Sequence, residues 1–511
     1  MTIRDTAKPE GPFESVSELR AEHARLLEAL ESELQQGGSE EEEAQALSRM
    51  GDQVMLFIAR GRSTGVYIEE VKERTECQIL LDYWVSRMIQ SGTRPPTGRL
   101  ASFDAQQLPD LKDKPCPYAG LDAFRDSNFF FGREEAIKKL LEQIHDCPLV
   151  IVLGASGGGK SSLVLGGILP ALRGPNASPR LRIIPPIVPG NAAFRHLAGA
   201  LIEATQGNPS TAEIEAGKLR QEPQHLLTMV GGSSAPPTLI TVDQFEELFT
   251  LSSEEDREAL AASLSHLLQA DRGHRVILTM REEFKSHMVE LMALSPYLDK
   301  AWYSIPPMDY EELKAAVERP AALVNLQFQS GIADDLVKKV LGQPAALPLL
   351  QFTLRALWEG RDRNRITWEV YHAVGNPLEA LEVSANRFFN DLAPQTQDEV
   401  KRILVALVRV DELLEAYRQP LPISQLLSAG RANTQDVLRV LAEQDYIRIA
   451  SNEAGQGGTV EIKHESLVRN WKLLVAWIDE KRQQRRQRLA LTQAAQRWQE
   501  SAKPDEGLLT E

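Results

Sequence analysis

Cysteine is scarce. The three in this chain, Cys77, Cys116 and Cys147, are odd in number and far apart, which fits neither a disulfide framework nor a zinc-ligand spacing and suggests a reducing, cytoplasmic setting. Long apolar runs are missing too. No stretch reaches the about 18 consecutive apolar residues of a membrane span, and the opening MTIRDTAKPEGPFES has no apolar export core, so neither insertion nor secretion is expected. Positive charge is in deficit, with 57 Lys plus Arg against 72 Asp plus Glu. The net charge of −15 repels a phosphate backbone or an anionic bilayer unless basic residues cluster locally, so neither nucleic acid nor membrane is an expected partner. One such cluster, Lys481, Arg482, Arg485, Arg486 and Arg488, reads as a solvated helix, with a nucleic-acid contact as its alternative. No internal repeat of roughly 20–50 residues is present.

What is present comes in blocks. At ~100–200 residues per domain the chain holds roughly three or four units. Residues 1–92 read as a small helical bundle, because apolar residues recur at helical spacing. Leu19, Leu26, Leu27, Leu30 and Leu34 mark one helix, Leu47, Met50, Val54, Phe57 and Ile58 a second, and Ile79, Leu80, Tyr83, Trp84 and Met88 a third. Between the first two, QQGGSEEEEA places acids where a helix N-terminus favours negative charge. The stretch Ser91–Pro115 is poor in large apolar residues and rich in Gly and Pro, so residues 93–114 read as an interdomain linker. Over residues 115–306, the strand candidates Leu149–Leu153, Leu181–Val188, Leu239–Val242, Val276–Thr279 and Trp302–Ile305 alternate with segments long enough for crossover helices. That pattern predicts an α/β core with a parallel sheet, its second strand weakened by Pro185 and Pro186. Residues 307–391 read as helical. Residues 392–478 combine helices with the alternating runs Tyr446–Ala450 and Thr459–Lys463, a winged-helix pattern, and residues 479–511 open as a polar helix.

The stretch from Gly154 through Ala155, Ser156, Gly157, Gly158, Gly159 and Lys160 to Ser161 fits G-x-x-x-x-G-K-[ST] and lies between a predicted strand and helix, the context that motif requires. Its glycines let backbone N–H groups approach phosphates, the helix opening at Ser161 and Ser162 adds its positive end, Lys160 reaches the β- and γ-phosphates, and the Ser161 hydroxyl ligates Mg2+. The same letters match the G-x-S-x-G elbow of α/β-hydrolases, but that reading gives no reason for Lys160 and Ser161 and finds no histidine at the best later strand end. That strand end is TLITVDQFEELF. It places Asp243 at the sheet edge as an Mg2+ carboxylate, and Glu246 or Glu247 as the base that polarises an attacking water. The strand RVILTMR ends in Arg281, either solvated or aimed at the γ-phosphate. No N-K-x-D sequence is present, which favours adenine over guanine, and no L-S-G-G-Q transporter signature occurs.

Taken together, PCPYAGLDAF, FFFGRE, the phosphate loop, VDQFEELF, LTMREEF, LPLLQFTLRALW and IKHESLVRNW resemble the novel STAND NTPases, signal-transducing relatives of the AAA+ ATPases, over roughly residues 115–477. The resemblance implies an ATP/ADP switch: closed with ADP, opened and self-associating with ATP, and firing a protein effector. It further implies that Phe131, Gly132 and Arg133 pack on adenine and ribose, that Arg281 is a sensor arginine, that Pro348 lies against adenine, and that His464 contacts the β-phosphate of ADP. Taken alone, His464 is a packed or solvated residue. Two alternatives remain: a continuously hydrolysing AAA+-like motor and a winged-helix DNA-binding regulator. Such proteins typically continue into a repeat domain that senses the trigger, whereas this sequence stops at PDEGLLTE, so the sensor is expected in a longer protein or in a partner.

Overall fold

The computed structural model describes residues 11–13, 15–34, 40–174, 180–231, 236–270, 272–343, 346–410, 416–428, 433–450 and 458–500. Part of the acidic run, the Gly-rich turn before Thr459 and the PDEGLLTE end lie outside these described residues. The chain divides into two compact units: one of Met1–Pro115, Ala321–Ala333 and Gly360–Val370, the other of Cys116–Pro320, Asp334–Glu359 and Tyr371–Glu511. No helix among the described residues is long and apolar enough to cross a membrane.

The first unit carries four bundle helices, Val16–Glu33, Glu40–Arg49, Gly51–Thr64 and Val71–Gln90. Ser15 caps the first by accepting a hydrogen bond from the Glu18 N–H, the local signature S-x-x-E. The single helix expected from Leu47 to Ile58 is two, broken at Met50, whose ψ of 1° leaves the helical region. The apolar spacing survives the break, because Leu47, Met50, Val54, Phe57 and Ile58 all remain in the core. Trp84 is fully buried there and donates its indole N–H to His23 Nδ1 at 2.9 Å.

Residues 93–114 are not a free linker. The Ala101 N–H donates to the Arg62 carbonyl and the Asp104 N–H to that of Val66, each at 3.0 Å, while Arg74 holds the Ala101 carbonyl at 2.6 Å. Leu108 and Leu111 are buried. Composition misleads here because a Pro-rich segment without regular structure can still satisfy its backbone through side chains and neighbouring loops. The expectation of helices alone over residues 307–391 also needs correction. Gln327–Phe328 and Arg365–Ile366 pair as a two-stranded parallel ladder, too short to leave an alternation in the sequence.

In the second unit, five parallel strands form one sheet: β1 (Leu149–Gly154), β2 (Arg182–Ile183), β3 (Thr238–Val242), β4 (Arg275–Arg281) and β5 (Trp302–Ser304), in the order β2-β3-β4-β1-β5. β1 and β3 are buried along their whole length, as expected of a parallel sheet covered on both faces. β2 is two residues long instead of the expected Leu181–Val188, because Pro185 and Pro186 have no N–H to give to a ladder; pairing resumes only as a bridge from Ile187 to Val242.

Further along, helices Pro394–Ala406, Ile423–Ser428 and Thr434–Glu443 pack with an antiparallel sheet in which Thr459–Ile462 lies between Leu421–Pro422 and Ile447–Ala450. A second ladder, Val408–Val410 with Ala416–Arg418, was not visible in the sequence. The terminal helix begins at Lys472 rather than Asp479, since Leu474, Trp477 and Ile478 belong to the apolar core of this C-terminal module and only the later turns are polar.

Candidate functional site

The sheet order puts β4 between the strand that leads into the phosphate loop and the strand that ends in acid. In register, Gly154 at the end of β1 lies opposite Arg281 at the end of β4, and Val242, the residue before Asp243, lies opposite Leu278. Three motifs far apart in sequence thus leave one carboxyl edge side by side, where ligands of open parallel sheets bind.

The loop is shaped by backbone. Gly157 and Gly159 take φ of 73° and 86°, the left-handed region that side chains disfavour. Lys160 is 9% exposed, and its Nζ donates to the carbonyls of Gly154 and Ala155, each at 2.9 Å. Burial pushes its pKa down, and Glu246 and Asp243 pull it back up. Arg133, 4% exposed, braces the loop by donating to the Pro306 carbonyl at 2.8 Å and the Gly158 carbonyl at 3.4 Å. Gly132, at φ 82°, meets a helix backbone so closely that a Cβ would sit 2.2 Å from the Glu312 carbonyl oxygen. The Ser162 hydroxyl accepts from the Phe124 N–H at 3.1 Å.

The acids are buried and distinct. Ser161 donates to Asp243 Oδ1 at 2.7 Å, and Thr279 of β4 donates to the same oxygen, so the second carboxylate oxygen takes no part in either bond. A hydroxyl and a carboxylate in contact are hard-oxygen donors that fit Mg2+. Among the described residues no cluster of three or more His, Cys, Asp or Glu could hold a metal, so a cation at this pair would draw its remaining ligands from phosphate and water. Glu246, 7% exposed, receives Arg281 Nε at 3.2 Å on Oε1, while its buried Oε2 has no hydrogen-bond partner. Burial raises its pKa, and Arg281 opposes the rise. Glu247 faces elsewhere. Its Oε2 accepts the Gly190 N–H at 3.2 Å, its Oε1 lies 3.8 Å from Arg418, and burial pushes its pKa up to about 7 against the pull of Arg418.

A cleft of about 410 Å³ gathers these groups. Phe131, Arg133, Ser156, Gly157, Gly159, Lys160, Ser161, Ser162, Asp243, Glu246, Glu247, Arg281, Pro348 and His464 all line it. Gly132, Gly154 and Gly158 do not, and act through the backbone behind it; a Cβ on Gly154 would stand 2.4 Å from Ile305 Cγ2. His464 is mostly buried, which lowers its pKa to about 4 although Asp122, 3.7 Å away, favours the charged form; the ring is therefore neutral near pH 7. Three contributors escaped the sequence reading: Thr279, Gln244 and Arg418. Thr279 sits inside RVILTMR, where a polar residue in an otherwise apolar strand was the available signal. Arg418 carried no signal, since it lies outside every motif.

The sequence profile of the family Novel STAND NTPase 1 matches residues 117–506. No curated protein matches the sequence. Among solved structures, the Walker-type ATPase paby2304 of Pyrococcus abyssi is 17% identical, covers 69% of this chain and 99% of its own, and superposes with a TM-score of 0.37. The ORC1 protein of Aeropyrum pernix, determined in complex with DNA, is 13% identical over 69% of this chain and 93% of its own, with a TM-score of 0.39. Cdc6p of Pyrobaculum aerophilum is 12% identical over 68% and 94%, with a TM-score of 0.36. Likenesses this loose assign no ligand or partner. The profile match spans about three-quarters of the chain and includes every motif around the cleft, and on that ground the chain belongs to the Novel STAND NTPase 1 family of P-loop NTPases.

Proposed function

We propose that this NTPase is a slow ATP-dependent switch. ADP keeps the C-terminal module, a winged helix, closed on the phosphate-binding core. Exchange for ATP releases it, and the open form self-associates and engages a protein effector or sensor partner in a prokaryotic signalling or defence pathway. The observation that carries this reading is the composition of one cleft. Lys160, Ser161 and Asp243 line it together with His464, more than two hundred residues away in sequence, so a nucleotide bound there would touch both the phosphate loop and the module.

Each residue has a role in that reading. Lys160 and the loop N–H groups hold the phosphates, and Ser161 with Asp243 would hold Mg2+, which when bound neutralises charge on the β- and γ-oxygens. Glu246 takes the proton of the attacking water, and its partnerless oxygen leaves it the acceptor site to do so. Arg281 offsets charge at the γ-phosphate and also pairs with Glu246, where it opposes the rise that burial gives to the carboxyl pKa. Phe131 and Pro348 offer an apolar seat for adenine, and neutral His464 donates to the β-phosphate.

The test is to identify the nucleotide in freshly purified protein and to measure turnover. Bound ADP is expected, with hydrolysis well below about one event per second, the low end of ordinary enzyme rates. Light scattering should give compact particles with ADP and larger ones with ATP. Protein that purifies empty and turns over many ATP per second would replace the switch with a motor.

A further inference from the structure

We infer that Arg418 is a positioning residue that couples the C-terminal module to the segment after Asp243. Through one nitrogen its guanidinium donates to Gln244 Oε1 at 3.0 Å, and the same nitrogen stands 3.8 Å from Glu247. Through the other it donates to the Lys463 carbonyl at 3.1 Å and the Ile462 carbonyl at 3.4 Å. Lys463 directly precedes His464. A planar, two-armed group thus ties the residue proposed to meet the phosphates to the loop that carries the carboxylates, a geometry the single ammonium of lysine cannot reproduce.

The surroundings explain why this tie carries weight. Gln244 has a φ of 54°, unusual for a residue with a side chain, and its N–H is held by Thr279 Oγ1 at 2.9 Å, so its amide is aimed by a fixed backbone. A small cavity of about 40 Å³ lies between Gln244, Glu247, Arg418 and Glu461. Leu251, Phe284 and Pro420 line the same cavity, so the packing beside Arg418 is incomplete, and its bond to Gln244 is one that parting the two sides must break. Arg418 lies at the end of the strand Ala416–Arg418, whose pairing with Val408–Val410 anchors it to the module's core. Movement of the module would thus withdraw the guanidinium and leave Gln244 and Glu247 without it.

The consequence for nucleotide exchange rests on the proposed switch; the coupling itself does not. Two readouts separate them. In the first, hydrogen exchange of the nucleotide-free protein is followed in wild type, Arg418→Ala and Gln244→Gly. Both variants should speed exchange in residues 243–248 and in residues 459–464, because each removes one half of the same contact. In the second, release of a fluorescent ADP analogue should be roughly 10-fold faster in either single variant, the size expected for losing one hydrogen bond to a charged group. The double variant should be no faster, and Arg418→Lys should not restore the wild-type rate. Gln244→Gly distinguishes coupling from mere structure: glycine relieves the left-handed backbone, so its melting temperature should hold or rise while release accelerates. Gln244→Gly also stands as the test if Arg418→Ala does not fold. Additive effects on release, or exchange that changes on only one side of the seam, would overturn the coupling. If wild type binds no ADP analogue, the switch fails, and hydrogen exchange alone decides the role of Arg418.

Discussion

The two walls of the cleft are held by different means. On one side eight consecutive residues, Gly154 to Ser161, bend through the torsions of Gly157 and Gly159 and are braced by Lys160 on their own carbonyls. On the other, Pro348, Arg418 and His464 come from separate elements, and Arg418 is held there by its side-chain bonds to Gln244 and the Lys463 carbonyl. Under the proposed switch, that contrast assigns binding strength to the loop, whose shape is set by backbone, and state-dependence to the wall placed by contacts distant in sequence.

The strongest way to break that division is at the carboxylates between the walls. Glu246→Gln should reduce single-turnover hydrolysis by about 10²–10⁴-fold while sparing ATP affinity, because the amide keeps the shape but cannot take a proton. Glu247→Gln should cost much less, since Glu247 faces Gly190 and Arg418. The reverse ranking would make Glu247 the base.

Next in size is the loop itself. Lys160→Ala removes a charge-assisted contact worth about 1.5–3 kcal/mol, so calorimetric ATP affinity should fall roughly 10- to 150-fold. Asp243→Ala should abolish the Mg2+ dependence of that binding. Unchanged affinity in Lys160→Ala would remove the loop from the account.

The opposing wall should respond in state rather than in affinity. A hydrogen bond to phosphate made only in the closed form is worth about 1.5–3 kcal/mol, so losing it moves an open-to-closed ratio of about 1:99 to between roughly 1:10 and 1:1. His464→Ala should therefore assemble in the presence of ADP. Equal compactness of mutant and wild type by light scattering would reduce His464 to packing.

The smallest effect is a dependence on pH. Burial raises the Glu247 pKa from 4.5 to about 7, so its contribution to stability is full below about pH 4.5 and is lost as pH rises through about 7. His464 runs the other way. Its pKa is depressed to about 4, so its contribution is intact above about pH 6.5 and is lost as pH falls towards 4. Melting curves of Glu247→Gln should lack the decline between pH 4.5 and 7, and those of His464→Ala should lack the decline on the acid side. Arg418→Ala should carry the Glu247 titration further upward; no movement would mean that Arg418 is too distant to matter.

Legibility followed the range of the interaction. The apolar runs of β1, β3 and β4 reflect burial along a single element and appear in the sequence at nearly their observed bounds, whereas the bundle's periodicity showed its core face but not the break at Met50. The proline pair that cut β2 short was visible too, though not how far it would cut. What misled was composition without contacts. Residues 93–114 look like a tether until Arg74 and the Arg62 and Val66 carbonyls are found holding them. The Val408–Val410 ladder and the Gln327–Phe328 pair are too short to leave a period.

The sequence by itself determined the phosphate loop, the acidic strand end and the arginine that ends β4, because each is a local arrangement in which a few consecutive residues must take one geometry to meet a phosphate or a cation. Tertiary structure alone decided what each carboxylate faces. Glu246 and Glu247 are adjacent and chemically alike, yet a helical turn sends one towards Arg281 and Lys160 and the other towards Gly190 and Arg418. It also decided that Arg418 matters at all. The energy of a charge pair depends on distance in space, and the chain between Glu247 and Arg418 carries no record of it.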